Sequence, residues 1–264
     1  MPTTDPAACA ISIVIPVLNE AATLPALIRR IRVAGERLQA REPRPLLEII
    51  IVDGGSTDAT LAVAGSQGVT VVSSAAGRGR QMNAGARHAH YGWLWFLHAD
   101  SVVPADCVEQ LMAAFGSGAS WGRFDIGFDS RQWRFAMLAW FMNWRSRVTG
   151  ICTGDQGMFV QRQLFEQLGG FAEIPLMEDI ELSRRLGLHQ RPYCVVEPLR
   201  TSARRWQQQG FVTTVLLMWS LRWRYYFGAS PESLVARYYP AYRYPTDSTQ
   251  AEFSPLPRNK NQHN

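Results

Sequence analysis

Trp93-Leu-Trp-Phe-Leu-His-Ala-Asp100 is a run of large apolar residues closed by His98, a small Ala99 and one carboxylate. A run this short, without helical spacing and followed by polar punctuation, predicts a fully buried strand. In open α/β sheets ligands bind outside the carboxyl ends of the strands, so Asp100 stands where a metal or ligand contact belongs. Capping of the following helix is the simpler account of this octapeptide alone, because Ser101-Val-Val-Pro104 leads into one. The rest of the chain decides between them.

Upstream, Ile11-Ser-Ile-Val-Ile15 is a β-branched run that predicts a buried first strand, stopped by Pro16. Helical spacing of Leu24, Leu27, Ile28, Ile31 and Leu38 predicts a helix over about 21–39. A second strand, Leu47–Val52, ends in Asp53-Gly-Gly-Ser-Thr-Asp58, with Ser56 or Thr57 capping a helix to about Ala64. Val69–Val72 is a third strand. Gly77-Arg-Gly-Arg-Gln81 reads as a loop feeding a small-residue helix over 82–89. Four strands at helical separations predict a parallel, doubly wound half.

The second half is less regular: a strand at 119–128, an aromatic and basic helix at 131–147, and a strand at 157–160. An amphipathic helix follows at 177–186, then a short strand at 193–196 and a long apolar helix at 211–227. The tail from Tyr244, rich in Pro, Ser, Asn and Gln, reads as disordered. The organisation predicted is a ragged lead over 1–10, a main domain over 11–206, an apolar and aromatic helical region over 207–243, and the tail over 244–264.

The chain has 264 residues, 47% hydrophobic and 19% charged, which suits a globular α/β protein and excludes wholesale disorder. Its net charge of +5 is carried by arginine, since Lys260 is the single lysine. That balance suits phosphorylated substrates or an anionic surface. Cys9, Cys107, Cys152 and Cys194 are scattered singly, a pattern of neither a zinc site nor a disulfide framework, and one that fits a reducing cytosol. No signal peptide or spanning segment is read, so a cytoplasmic protein is expected, with peripheral contact at the inner membrane face left open.

Three strand ends carry acids: Glu20, Asp53 and Asp100. On one sheet edge they would repel unless a cation or hydrogen-bond donors lie between them. A nucleotide supplies both, its ribose and base donating to Glu20 and Asp53 and its diphosphate carrying a divalent cation held by Asp100. No G-x-G-x-x-G follows the first strand and there is no phosphate-binding P-loop. Arg78 or Arg80 of Gly77-Arg-Gly-Arg80, with the loop's N–H groups, is an alternative phosphate contact.

IVIPVLNE, IVDGGSTD, GRGRQMNAG, FLHAD and LMEDIELSRRL, in this order, resemble a family-2 glycosyltransferase of the GT-A fold. The resemblance spans about 11–206. HAD, TGDQG, PLMEDI and ARRW resemble, more narrowly, the subgroup called radical-SAM/selenodomain-associated or arsenosugar-biosynthesis glycosyltransferases. It implies a GT-A-type doubly wound mixed sheet with a helical C-terminal appendage, a nucleotide-sugar donor (a UDP-sugar in most members), and Mg2+ or Mn2+. By position it implies Pro16, Asn19, Glu20 and Asp53 around the nucleoside and Arg78 near the nucleotide. Asp100 would be the metal-side carboxylate of the family's D-x-D, whose first acid is replaced here by His98, either a ligand or a core residue.

Asp179 matches the family's catalytic base, with Glu178 as the alternative, and an inverting transfer needs one such carboxylate to take the acceptor's proton. Acids at a helix start are also good first-turn chemistry in their own right. Asp155 and Gln156, within Thr153-Gly-Asp-Gln-Gly157, resemble the acceptor-side or metal-side residues of the subgroup. Ser202-Ala-Arg-Arg-Trp206 resembles the Q-x-x-R-W of processive members, with Ser202 in place of Gln; Arg205 would neutralise the leaving diphosphate and Trp206 stack on a sugar.

The helices at 131–147 and 211–227 mix Trp, Met and Arg as interfacial helices do, which would suit a lipid acceptor or a membrane surface. Core packing or a homodimer face is the more economical expectation, because an apolar stripe usually means core. The acceptor, small molecule or lipid, is not named by these residues. The Arg residues are too dispersed for nucleic acid. Two rival functions remain at this level: a nucleotidyltransferase, and a non-catalytic nucleotide- or membrane-binding protein.

Overall fold

The computed structural model describes residues 10–38, 46–203 and 210–238. Arg205, Trp206 and the tail from Tyr244 therefore lie outside the described residues. The first strand, β1 (Ala10–Val17), runs straight through Pro16, which pairs in register with Val52 of β2 (Leu46–Asp53). The expected stop at Pro16 falls one residue further on, since a proline at the end of a strand removes only one donor from the ladder. Helix α1 (Leu24–Glu36) starts later than the spacing suggests, with Pro25 in its first turn, where a missing N–H costs nothing.

Then follow α2 (Thr60–Ser66), β3 (Thr70–Ser73), α3 (Arg78–Arg87), β4 (Trp93–Phe96) and α4 (Cys107–Gly116). The first four strands are mutually parallel. Next come β5 (Trp121–Phe128), α5 (Trp133–Thr149), β6 (Phe159–Gln161), α6 (Arg162–Gln167), α7 (Glu178–Gly187) and β7 (Tyr193–Thr201). The chain's described part closes with α8 (Phe211–Tyr226) and α9 (Pro231–Tyr238).

All seven strands form one sheet in the order β3-β2-β1-β4-β6-β5-β7, mixed because β6 runs antiparallel to both its neighbours. The expected doubly wound mixed sheet is what forms. β7 is longer than the four-residue strand expected. A register shift between Phe124 and Asp125 of β5 absorbs Val196 and Glu197, and Pro198 is tolerated because β7 is the sheet edge.

Alternation along β1 sends Ile11, Ile13, Ile15 and Val17 to the face covered by α1 and α4, and Val14 to the face covered by α3, α6 and α7. On the second face α3 comes unusually close. A Cβ on Gly85 would sit 2.3 Å from Val14 and 2.9 Å from Val52, so only glycine lets the helix reach the sheet. A third apolar cluster joins α5 to the end of β5 and the start of α8. A fourth joins Met177, Leu221 of α8 and Leu234 of α9, so the C-terminal helices brace the start of α7.

Helices α5 and α8 are not simply core. Each buries one face, with Phe135 and Leu138 inward on α5 and Leu221 on α8, but Trp133, Trp140, Trp144, Trp223, Tyr226 and Phe227 are exposed. The expectation of core packing holds for half of each helix; both carry apolar residues on more than one side, and among the described residues only one side is packed. Among the described residues, no helix is long and apolar enough to cross a membrane.

Candidate active site

The carboxyl ends of β1 and β2 are held together by side chains rather than by the sheet alone. Asn19 adopts φ 57°, a left-handed conformation that Asn tolerates better than most side chains. Its Oδ1 accepts the N–H groups of Thr57 and Asp58 at 2.8 and 3.3 Å, while its own N–H donates to Ser56 Oγ at 2.9 Å. Asp53 is buried and accepts from the N–H groups of Gly55 and Ser56. Glu20 Oε2 accepts from Thr23 Oγ1 at 2.6 Å, and the Glu20 N–H donates to Thr60. The residues assigned to the nucleoside thus first build the two loops that would receive it. Asp53 closes a local turn and caps no helix, and neither Ser56 nor Thr57 caps α2 as expected: that helix begins at Thr60 after Ala59, with no side-chain cap bond.

Gln81 joins this edge to the next element. Its Nε2 donates to the carbonyls of Val17 and Val52 at 2.9 and 2.8 Å, at the carboxyl ends of two adjacent strands. The helix carrying it begins at Arg78, so Gly77-Arg-Gly-Arg80 is not a loop but a glycine followed by the first turn of α3. The glycines misled: Gly79 is there because a Cβ would lie 2.7 Å from the Ala172 carbonyl, and Gly85 because α3 packs tightly. Arg78, at the helix start, is 40% exposed and lies 3.5 Å from Glu178 Oε1.

Glu178 and Asp179 open α7 after Met177, a non-glycine residue at φ 73°. Such a backbone costs on the order of 1–3 kcal/mol and persists only where packing over-determines it, as the fourth apolar cluster does here. Adjacent residues on a helix point about 100° apart, and the two acids face different neighbours. Glu178 is buried against Arg78. Burial, only partly opposed by that guanidinium, and the Asp179 charge push its carboxyl up to about 7. Asp179 is only half-buried; its Oδ1 accepts from the Ile180 N–H and its Oδ2 from the Gly154 N–H, both at 2.7 Å.

Gly154 belongs to a single 3-10 turn, Gly154–Gln156, capped from both sides by Thr153 and Gln156. Asp155 follows it, hydrogen-bonded to Thr153 Oγ1, and burial raises its carboxyl above the ordinary range despite that bond. Gln156 is fully buried and its Oε1 accepts from Thr153 N–H, so it holds the turn and does not face outward.

His98 meets the same turn from β4. A Cβ on Gly154 would lie 2.7 Å from His98 Nε2 and 3.4 Å from Arg78 Nη1. Burial, and then the Arg78 charge, pull the imidazole down to about 3, so it is neutral; its Nε2 is buried without a hydrogen-bond partner. Arg78, His98, Gly154, Glu178 and Asp179 therefore form one cluster, linked through α3 and Gln81 to Asn19 and Asp53. Sequence reading missed Gln81, whose role depends on contacts between elements distant in the chain.

Among the described residues no three His, Cys, Asp or Glu side chains converge as a metal site. Asp100, just past β4, is the one carboxylate of that strand end. These donors fit a cation that takes most of its coordination from a bound diphosphate and water. They do not fit a cation caged by protein.

A sheet of this order, with acids past its strand ends, matches what comparison with other proteins shows. The family model "Glycosyl transferase family 2" matches residues 12–169, more than half of the chain. The chain belongs to glycosyltransferase family 2.

Among curated relatives of this family-2 chain, a "PGL/p-HBAD biosynthesis glycosyltransferase" of Mycobacterium bovis (strain BCG / Pasteur 1173P2) is 37% identical over 113 residues, 40% of this chain and 41% of that protein. The chain thus aligns with less than half the length of the curated relatives it matches. Solved structures share the GT-A fold. S. aureus TarS 1-349 in complex with UDP-GlcNAc superposes with a TM-score of 0.58 at 16% identity, covering 73% of this chain and 58% of that one. Glucosyl-3-phosphoglycerate synthase from Mycobacterium tuberculosis, in complex with Mn2+, UDP and glucosyl-3-phosphoglycerate, gives 0.52 at 22% identity, covering 76% of each chain.

Proposed function

We propose that this chain transfers a sugar from a nucleotide-sugar donor, a UDP-sugar, to an acceptor hydroxyl with inversion at the anomeric carbon. The observation that carries the reading is Asp179. It is a half-buried carboxylate held by two backbone N–H groups, at the junction of the Arg78 cluster and the Gly154–Gln156 turn. Each oxygen spends one lone pair on those donors and keeps another for a proton. In the step proposed, the acceptor oxygen attacks the anomeric carbon, its proton passes to Asp179, and the bond from sugar to diphosphate breaks, releasing UDP.

Asn19, Glu20, Asp53 and the β1 end at Pro16 supply the nucleoside side of the site. Arg78 stands on the diphosphate side, and by motif Arg205 and Trp206 would join it. A bound Mg2+ or Mn2+ would neutralise charge developing on the leaving diphosphate, with Asp100 as the protein's carboxylate and neutral His98 as the neighbouring donor. The neighbours solved with UDP, UDP-GlcNAc or Mn2+ support this choice of donor and ion. The narrower subgroup resemblance, carried by TGDQG and PLMEDI, fits the same chemistry. A cytoplasmic protein working at a membrane face suits the exposed aromatic sides of α5 and α8.

The test is a panel of nucleotide sugars with Mn2+ or Mg2+, read by thermal shift and by release of nucleoside diphosphate. Expected are stabilisation and turnover with at least one UDP-sugar. Asp179→Asn should abolish transfer and leave UDP binding nearly intact. Binding without turnover, unaffected by Asp179→Asn, would point to a non-catalytic binder; release of pyrophosphate from a nucleoside triphosphate would point to a nucleotidyltransferase.

A further inference from the structure

Beside the acid pair, helices α5, α7 and α8 enclose a cleft of about 890 Å³. Its position follows from the packing already described: Ile180 and Ser183 of α7 line it, and Ser183 Oγ donates to the Asp179 carbonyl at 2.7 Å. The cleft thus begins one residue from the carboxylate assigned as base. Its walls are apolar and aromatic. Phe141 of α5 stacks on Trp219 of α8 with ring centroids 5.2 Å apart, and Trp223 and Tyr226 continue the wall outward, both largely exposed.

The charges in the cleft have one sign. Arg145, Arg184 and Arg222 line it, and among the described residues no acidic side chain does. Arg145 is the most constrained of the three. Its Nε and Nη2 are buried and make no hydrogen bond among the described residues. Guanidinium N–H groups are strong donors, and leaving them buried and unmet is costly unless a ligand meets them. Burial, then the facing Arg222 charge, pull Arg145 down to about 10, with Asp155 and Asp179 acting in the opposite sense. Two arginines held near each other against an aromatic wall make a place for an anion attached to an apolar body.

We infer that this cleft is the acceptor site, and that the acceptor is an anionic amphiphile: an apolar body lies between α5 and α8, and a phosphate or carboxylate group sits on Arg145 and Arg222 and brings a hydroxyl to Asp179. The inference rests on the transferase reading for the role of Asp179; the ligand chemistry rests on the cleft alone. A neutral sugar acceptor would leave the guanidinium groups unmet and the aromatic wall in water. A small free anion would leave most of the volume unused.

The test is calorimetric titration of the full chain, with and without UDP, using dodecyl phosphate below its micelle concentration. Tetraethylene glycol monododecyl ether serves as the neutral amphiphile and inorganic phosphate as the free anion. Dodecyl phosphate should bind at least about tenfold more tightly than either. Arg145→Gln, and separately Arg222→Gln, should each remove about tenfold of that affinity and leave the neutral amphiphile unchanged. Trp223→Ala should weaken both amphiphiles.

Equal affinity for charged and neutral amphiphiles overturns the inference. So does an alkyl phosphate response that survives both arginine substitutions, or one seen only with phosphatidylglycerol vesicles and never with the dispersed monomer. Absence of UDP binding in the same titrations would remove the transferase reading instead, and would not alter the ranking of the three probes.

Discussion

Gly154 donates its main-chain N–H to Asp179 Oδ2 at 2.7 Å, so the turn after α5 fixes a carboxylate on α7, twenty-five residues further along the chain. The same glycine leaves room for His98 from β4 and Arg78 from α3. One small residue is therefore the meeting point of four elements. Its place in the chain explains why Thr153-Gly-Asp-Gln-Gly157 and the Glu178-Asp179 pair behave as a single unit.

Gly154→Ala puts a methyl group 2.7 Å from His98 Nε2 and 3.1 Å from its Cε1, inside a buried contact. The ring has to move, which displaces Arg78 and Asp179 with it. A loss of about 1–3 kcal/mol is expected from overpacking, with transfer activity falling further than UDP affinity. Adding His98→Ala should recover stability relative to the single variant, because the two sites share one contact. Urea melts of the four proteins of the cycle give the coupling; simple additivity would mean the two residues do not touch.

Gln81→Leu keeps the bulk of a buried side chain but removes the side-chain donor from the Val17 and Val52 carbonyls, of which Val17 keeps the Gly54 N–H at 3.0 Å. Each lost bond costs roughly 0.5–1.5 kcal/mol, so a loss of about 1–3 kcal/mol is expected. Because both carbonyls close the strand ends beside Asn19 and Asp53, the KM for donor should rise while the KM for acceptor stays near its original value. A pure stability loss with an unchanged donor KM would separate Gln81 from the site.

Asn19 combines a left-handed backbone with a side chain that receives two N–H groups of the next loop. Asn19→Gly keeps the backbone and removes the side chain; Asn19→Ala removes the side chain and also strains the backbone by roughly 1 kcal/mol. Both should weaken UDP binding by about tenfold, with the alanine variant the less stable. Equal thermal stability of the two would show that the backbone conformation carries no cost here.

The strands around the site were legible because Ile11–Ile15, Leu47–Val52 and Trp93–Leu97 are apolar runs with sharp polar ends, as buried parallel strands must be. The acids after them were legible for the same reason. Arg78 was placed in a loop because its glycines lower helix propensity, and only tertiary packing against Val14, Val52 and Ala172 explains them. Pro198 hid the second half of β7, since nothing local marks that strand as an edge. The α5 and α8 periodicity did not show which apolar side lacks a partner, and Arg145 carries no signal until three helices are assembled around it.

Glu178 gives the molecule a pH dependence whose sign is fixed by its burial. Its carboxyl titrates at about 7 in the folded chain against an ordinary value of 4.5, so between these two values the folded state holds a proton that the unfolded state has released. Stability must then fall as pH rises through that window and level off above it. The full effect is on the order of 3 kcal/mol. Glu178→Gln mimics the protonated group and should flatten the curve, leaving the variant near wild type at the acid end and more stable than wild type above neutrality. Arg78 then loses its anionic partner, so at high pH the variant should gain stability and lose some of the organisation of its diphosphate side, seen as a higher donor KM. Urea denaturation across this pH range checks the first half, and a persisting slope in Glu178→Gln would assign the titration to another group.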